Sequence, residues 1–325
     1  MRRREFFSSA AVAGMASAPA AMAAEISKVQ PPEDVPKRVF GKTGEKLTIV
    51  GQASGRFPLC TPEEAKAVTQ RAYELGINYF DTARLYWGGK SEEVYGEVLS
   101  PVRKKIFLTT KCEKYTKPAA EASLAASLKA LKTDYIDLWQ VHQVSEMSEV
   151  EQIFGPNGSL EVFEKAKKDG KVRFIGFTGH RDPKIHQEML KRYTKWDTIL
   201  MPLHPADPHY LSFEKEVLPI AIERGMGIQG MKSTANAKLL SALALKDCIE
   251  YVLSLPIHCL TLGATTVGQI EDDVRVAKQF KPLNEQQMAS IRKRTERLKG
   301  PGLEDWKRNT ETAAVNTYRD GQWHA

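Results

Sequence analysis

Beyond residue 49 the hydrophobic positions fall into two alternating patterns. Short apolar runs bounded by polar loops read as buried strands. Each is followed by a stretch with apolar residues three or four apart, the spacing of an amphipathic helix. The runs predict strands over 49–52, 78–80, 105–110, 135–141, 172–177, 198–201, 227–231 and 259–262. The periodic stretches predict helices over 62–75, 91–100, 119–131, 159–169, 183–192, 213–224, 240–254 and 267–279. Some carry start signals: Thr61-Pro62-Glu63-Glu64 puts proline at the first helical position and acids in the first turn.

Apolar strands that alternate with helices need a parallel sheet with its faces covered. Eight such units in about 230 residues fit a single α/β domain, a closed (β/α)8 TIM barrel, better than an open doubly wound sheet. The open sheet would also want a Gly-x-Gly-x-x-Gly turn, whereas the first strand runs into Gly51-Gln52-Ala53-Ser54-Gly55-Arg56. Ahead of the barrel, 38–49 reads as a β-hairpin around Lys42-Thr43-Gly44 that would lid the barrel base. Past the eighth unit, 284–299 predicts an extra C-terminal helix and 301–325 an extended tail.

At 325 residues, 42% hydrophobic and 27% charged, the composition is that of a globular enzyme and excludes disordered and fibrous classes. The net charge of +7 is scattered, with no basic stripe interleaved with aromatics, so no nucleic-acid partner is expected. Cys60, Cys112, Cys248 and Cys259 lie far apart without a Cys-x-x-Cys, which points to neither a zinc site nor a disulfide framework. The N-terminus changes the picture. Arg3-Arg4-Glu5-Phe6-Phe7, an Ala-rich run over 10–18 and Ala21-Met22-Ala23 read as a twin-arginine-like signal peptide over 1–23. The apolar run is too short to span a bilayer. The expectation is therefore engagement of the twin-arginine export machinery and a periplasmic mature form, with a chance basic start (a cytoplasmic protein) or an organellar transit peptide as the competing readings. Residues 24–37 read as a linker, 38–300 as the barrel and 301–325 as the tail.

Chemistry concentrates where strands end, the face on which barrel enzymes place their active sites. Asp81, Tyr86, Lys111 and His142 stand just after the second, third and fourth predicted strands. Lys111 closes the run Ile106-Phe107-Leu108-Thr109-Thr110, where a charge inside a barrel needs a carboxylate partner, and Asp81 can serve. An ammonium near a phenol favours its ionised form, so Lys111 can make Tyr86 a usable acid. Taken singly, each has a structural reading: a cap, a rim aromatic, a barrel-end salt bridge and a core histidine. Four on consecutive strand ends favour catalysis.

Here the chain resembles the aldo-keto reductases. Asp81-Thr82-Ala83-Arg84-Leu85-Tyr86 is similar to that family's Asp-Thr-Ala-x-x-Tyr motif, Thr110-Lys111 to its third-strand lysine, and Asp137-Leu138-Trp139-Gln140-Val141-His142 to its fourth-strand histidine. The resemblance covers 38 to about 300. It implies a barrel that binds NADPH or NADH without a Rossmann fold and reduces aldehydes or ketones. It also implies that Tyr86 protonates the substrate oxygen, Lys111 and Asp81 tune it, and His142 orients the carbonyl.

Elsewhere the match departs from the family. After the fifth strand the family's Ser-Asn pair is Thr178-Gly179, the sixth lacks the usual glutamine at Met201-Pro202-Leu203, and after the seventh Met231 stands in for a stacking aromatic. After the eighth, Gly263 and Gln269 occupy positions that typically bring basic residues to a 2′-phosphate, which leaves the choice between NADPH and NADH open. Gly263 and Ala264 lead to a helix N-terminus able to receive a phosphate, and Asp272 and Asp273 sit where the family touches adenine or, equally, as helix-dipole partners. The cofactor residues expected are thus Thr178, Gly179, Met231, Gly263, Ala264, Gln269 and Asp273. Phe57, Trp87 and His180 are expected to wall the substrate pocket, with His209 and Asn236 as outsiders. Two alternatives stay open: a cofactor-binding sensor or partner subunit of the same fold, and a metal-dependent isomerase using Asp81, His142, His180 and His204.

Overall fold

The computed structural model describes residues 35–307 and an antiparallel strand pair, Thr317–Arg319 with Gln322–His324. The export signal expected at 1–23 and most of the linker lie outside the described residues.

Strands β1 (Lys37–Val39) and β2 (Lys46–Thr48) form the hairpin. Eight parallel strands then close a barrel: β3 (Val50–Ala53), β4 (Tyr79–Asp81), β5 (Phe107–Cys112), β6 (Ile136–Val141), β7 (Val172–Thr178), β8 (Thr198–Pro202), β9 (Gly227–Met231) and β10 (Cys259–Leu262), with β10 pairing back to β3. The helices that jacket it are α1 (Pro62–Glu74), α2 (Lys90–Leu99), α3 (Lys117–Ala130), α4 (Met147–Phe154), α5 (Leu160–Lys168) and α6 (Pro183–Arg192) in the first part. The remainder are α7 (Phe213–Glu216), α8 (Leu218–Glu223), α9 (Leu245–Ser254), α10 (Val267–Lys278) and α11 (Glu285–Thr295). At α1 the expected start is realised as a capping box: the Thr61 side chain accepts from the Glu64 N–H, and Glu64 Oε2 accepts from the Thr61 N–H at 2.7 Å.

Three differences from the sequence reading have local causes. The helix expected over 213–224 is split at Val217, because Pro219 in the first turn of α8 has no N–H for a continuous ladder. The helix expected from 240 begins only at Leu245, where the Asp247 carboxylate accepts from the Ala244 N–H; a 3-10 turn, Lys238–Ser241, precedes it. The unforeseen α4 is an eight-residue helix whose buried positions are only Val150 and Ile153, too few to register as a period. The tail also differs. Residues 301–307 fold back on the barrel and bury Leu303 and Trp306.

The barrel interior is layered. At the base, Phe40 and Leu47 from the hairpin plug the barrel against Tyr79, Phe107, Leu138 and Cys259. The Phe40 ring meets Phe107 edge-on at 5.8 Å. Above lies a polar layer in which Gln140 Nε2 donates to Gln229 Oε1 at 2.9 Å and Gln229 bonds the Tyr79 hydroxyl. The ionisable residues come next, at the C-terminal mouth. Because Phe40 is fully buried in a close-packed plug, Phe40→Ala should cost about 3–5 kcal/mol of stability. Urea unfolding measures this as a lowered midpoint.

Candidate active site

Register places the reactive side chains at rising heights. Asp81 on β4 pairs with Thr109, Lys111 on β5 pairs with Gln140, and the His142 N–H, just past β6, donates to the Cys112 carbonyl at 2.8 Å. β4 and β5 have the expected lengths but end one and two residues later than expected, so Asp81 and Lys111 belong to the strands themselves. Tyr86 opens a 3-10 turn, Tyr86–Gly89, in which Trp87 takes the left-handed conformation (φ 55°, ψ 35°). That backbone costs roughly 1–3 kcal/mol for a bulky residue and persists only where surroundings enforce it. Here Arg84 enforces it: its guanidinium bonds the buried Glu92 at 2.7 Å and the Gly88 carbonyl at 3.2 Å. Glu92 in turn accepts from Thr110 at 2.6 Å, which ties the turn to β5.

Lys111 and Asp81 are an ion pair with almost no solvent exposure, and Lys111 Nζ also donates to the Thr82 carbonyl at 2.7 Å. Burial pushes the ammonium below its ordinary pKa and the carboxyl above its own, and in each case the partner opposes the shift. Lys111 Nζ lies 5.1 Å from the centre of the Tyr86 ring. The His142 ring stands edge-on to the same phenol at 5.4 Å. Burial first, then Lys111 and His180, holds the His142 imidazole well below the usual histidine range, so it is neutral. The structure thus gathers Asp81, Tyr86, Lys111 and His142 into one cluster: a phenol between a buried ammonium and a neutral imidazole.

The residues expected to hold a cofactor lie across the mouth. Thr178 ends β7, and its carbonyl accepts from the Val144 N–H at 3.0 Å. At Gly179 a Cβ would come within 2.4 Å of the Val144 carbonyl and 2.9 Å of His186 Cε1, so no asparagine fits there. His180 follows, its Nδ1 buried without a hydrogen-bond partner among the described residues, and burial, with Lys232 and His186, pulls its imidazole well down. Met231 is half-buried at the end of β9. At Gly263 a Cβ would meet Arg56 Cγ at 2.8 Å, so the glycine leaves the space that Arg56 fills. Ala264 is buried. Gln269 is occupied in closing its own loop: its Oε1 accepts from the Thr265 N–H at 2.8 Å, and its N–H donates to Thr266 at the start of α10. Burial lifts the Asp273 carboxyl to about 7.

The pocket walls fall differently. Phe57 does not line the mouth: it is fully buried, edge-on to Tyr95 at 5.9 Å, because its 3-10 turn directs the ring into the core. Trp87 stays partly exposed beneath the Lys90 ammonium at 5.2 Å. His209 faces α11, with Nε2 3.0 Å from the Arg292 carbonyl. His204 lies apart from Asp81 and His142. It joins Asp207 and Glu304, the one group of potential metal-ligand atoms within 4.8 Å of one another among the described residues. Lys307 Nζ contacts both acids, so an ammonium already sits where a metal ion would bind them.

Sequence reasoning missed a second basic site. Arg56 Nη2 donates to Asn236 Oδ1 at 3.0 Å, and Lys232 Nζ approaches the same oxygen at 3.5 Å. Arg56 forms no ion pair with a carboxylate among the described residues. Burial lowers its pKa, and burial together with Arg56 and Lys238 brings Lys232 down to about 8, against an opposing Asp305. Two cations sharing one amide oxygen form a site that an anion would relieve.

The profile of the Aldo/keto reductase family matches residues 59–247. An uncharacterized oxidoreductase of Bacillus subtilis, YqkF, is 33% identical over 177 residues, which cover 50% of this chain and 54% of that protein. The chain spans about half the length of the curated relatives it matches. Among solved structures, an aldo-keto reductase of Bacillus halodurans in its holo form superposes with a TM-score of 0.69 at 24% identity, over 80% of this chain and 96% of that one. An aldo-keto reductase of Klebsiella pneumoniae in complex with NADPH gives 0.67 at 18% identity, over 81% and 96%. At those identities the two structures establish the shared fold. The profile covers more than half of the sequence, and on that match the chain belongs to the aldo/keto reductase family.

Proposed function

We propose that this protein is an NAD(P)H-dependent oxidoreductase that reduces an aldehyde or ketone to an alcohol. The observation that carries the reading is the Tyr86 phenol set between the buried Lys111–Asp81 pair and the neutral His142 ring. The mouth also fits the dinucleotide. Arg56, packed beside Gly263, and Lys232 bring two positive charges to one amide oxygen, Asn236 Oδ1, and the N-terminus of α10 follows Gly263 along the chain. When bound, the reduced nicotinamide supplies the hydride.

The protein's part is to bind the carbonyl and deliver a proton. The Tyr86 hydroxyl and an N–H of the neutral His142 donate to the carbonyl oxygen and aim it. As negative charge grows on that oxygen, Tyr86 releases its proton to it, and the Lys111 ammonium stabilises the phenolate left behind. Asp81 keeps Lys111 charged and in place. The Trp87 ring at the rim suits a partly apolar substrate. With Gly263 uncharged and Gln269 tied to Thr265, a 2′-phosphate gains no charge-assisted bond from this loop, so both NADPH and NADH are expected to bind. The arginine pair and Ala-rich run at the N-terminus support export of the chain by the twin-arginine route, and N-terminal sequencing of the native protein that found Met1 or Arg2 would overturn that assignment.

Replacing Tyr86 by phenylalanine should lower kcat for 4-nitrobenzaldehyde reduction at least ~100-fold while leaving the NADPH dissociation constant unchanged. Robust binding with no wild-type turnover would instead favour a sensor or partner role. A second expectation concerns pH. Lys232 is charged below about 8 and loses its proton as pH rises through that value, so NADPH affinity should be greatest near pH 7 and fall by pH 9. The fall should be about tenfold, the scale of one charge-assisted bond, and absent in Lys232→Met. Titrations followed by cofactor fluorescence across that range check it.

A further inference from the structure

Residues 300–307 return from α11 to the barrel mouth and grip two of its loops. Lys307, fully buried, contacts Asp207 Oδ1 at 2.8 Å and Glu304, and donates to the Tyr210 carbonyl at 2.6 Å. Glu304 reaches His204 Nε2 at 3.0 Å, and Asp207 is held by Ser212 Oγ at 2.9 Å and the Glu214 N–H at 2.8 Å. This network fastens the segment to the loop after β8. On its other side, Asp305 pairs with Lys238 at 2.7 Å and Lys238 donates to the Gly302 carbonyl at 3.2 Å, which fastens it to the loop after β9.

That second loop is strained. Lys232, Ala235, Asn236 and Ala237 all have positive φ, between 49° and 70°, and none is glycine. Left-handed backbone at four such positions persists only when neighbours over-determine it. Trp306 is the neighbour in contact with its functional end. The indole lies edge-on to His204 at 5.7 Å and places its ring 4.7 Å from Lys232 Nζ. Lys232 therefore rests on a buried aromatic surface anchored by the ion network, and reaches Asn236 Oδ1, where Arg56 also arrives.

We propose that Trp306 is a positioning residue for the anion-binding pair: seated by the Lys307 network, it holds the Lys232 ammonium beside Arg56 in the arrangement that receives a phosphate of the dinucleotide. The inference rests on the reading of the mouth as a nicotinamide-dinucleotide site. In this role Trp306 acts through Lys232.

A double-mutant cycle read by calorimetric titration of the full chain with NADPH tests it. Trp306→Leu should weaken binding about tenfold, the scale of a desolvated cation–π contact. Lys232→Met should weaken it by about as much or more, and the double variant should bind no worse than Lys232→Met alone. Where Trp306→Leu fails to fold, Trp306→Phe serves in the same cycle, with a loss of about threefold that vanishes when residue 232 is methionine. Losses that multiply in the double variant, or wild-type affinity in the Trp306 variant, overturn the proposal. Failure of the wild type to bind either NADPH or NADH would overturn the underlying reading and this inference with it.

Discussion

A lysine ammonium inside a closed barrel is the constraint from which the mouth is built. Lys111 is fully buried, and leaving either it or Asp81 without the other would cost about 3–5 kcal/mol. The barrel meets that demand in layers. The apolar plug of Phe40 and Leu47 seals the base. The Tyr79–Gln229–Gln140 layer above it grades from apolar to polar, with the Tyr79 hydroxyl 3.4 Å from Asp81 Oδ2. The ion pair then sits at the one height where strands end and backbone carbonyls, such as that of Thr82, are free to accept from the ammonium. The same requirement explains the loop beyond Asp81: the Arg84–Glu92–Thr110 chain fixes the turn that carries Tyr86 against the Lys111 side chain.

The strained positions cluster at this mouth for a related reason. Trp87 and the run from Ala235 to Ala237 hold left-handed backbone in the loops after β4 and β9. Each is tied down by a charge: Arg84 on one side, and on the other Lys238 paired with Asp305. Loops alone would relax; loops fastened by partly buried ion pairs keep a geometry that propensity does not favour.

The sequence made the barrel legible because strand and helix periods differ and alternate cleanly, and the four residues at Asp81, Tyr86, Lys111 and His142 were visible because polar groups that end apolar runs must be explained. The same rule applied to Met231-Lys232 would have found Lys232. Arg56 offered no such signal, since its partner Asn236 lies 180 residues away and only barrel closure brings them together. Phe57 misled because an aromatic in a strand-end loop reads the same whether its ring turns out to the rim or in toward Tyr95. The segment ending at Lys307 read as an extended tail because Glu304, Asp305 and Lys307 are polar; Lys307 is buried against Asp207, 100 residues upstream, with Glu304 beside it, while Asp305 stays half-buried against Lys238.

Two strand-end lysines show how one residue type serves opposite purposes at a single mouth. Lys111 is neutralised by a dedicated carboxylate, so its field acts locally on the phenol beside it and little of it reaches an incoming ligand. Lys232 rests on an indole and shares an amide oxygen with an arginine. An aromatic face steadies a cation without cancelling its charge, so this end of the mouth keeps a net attraction for anions. Burial first, with Lys232 adding to it at His180 and Lys111 at His142, keeps both imidazoles neutral. Neutral imidazoles donate and accept without bringing a competing positive charge to the carbonyl. Proton delivery is then left to the one phenol that stands beside a buried ammonium.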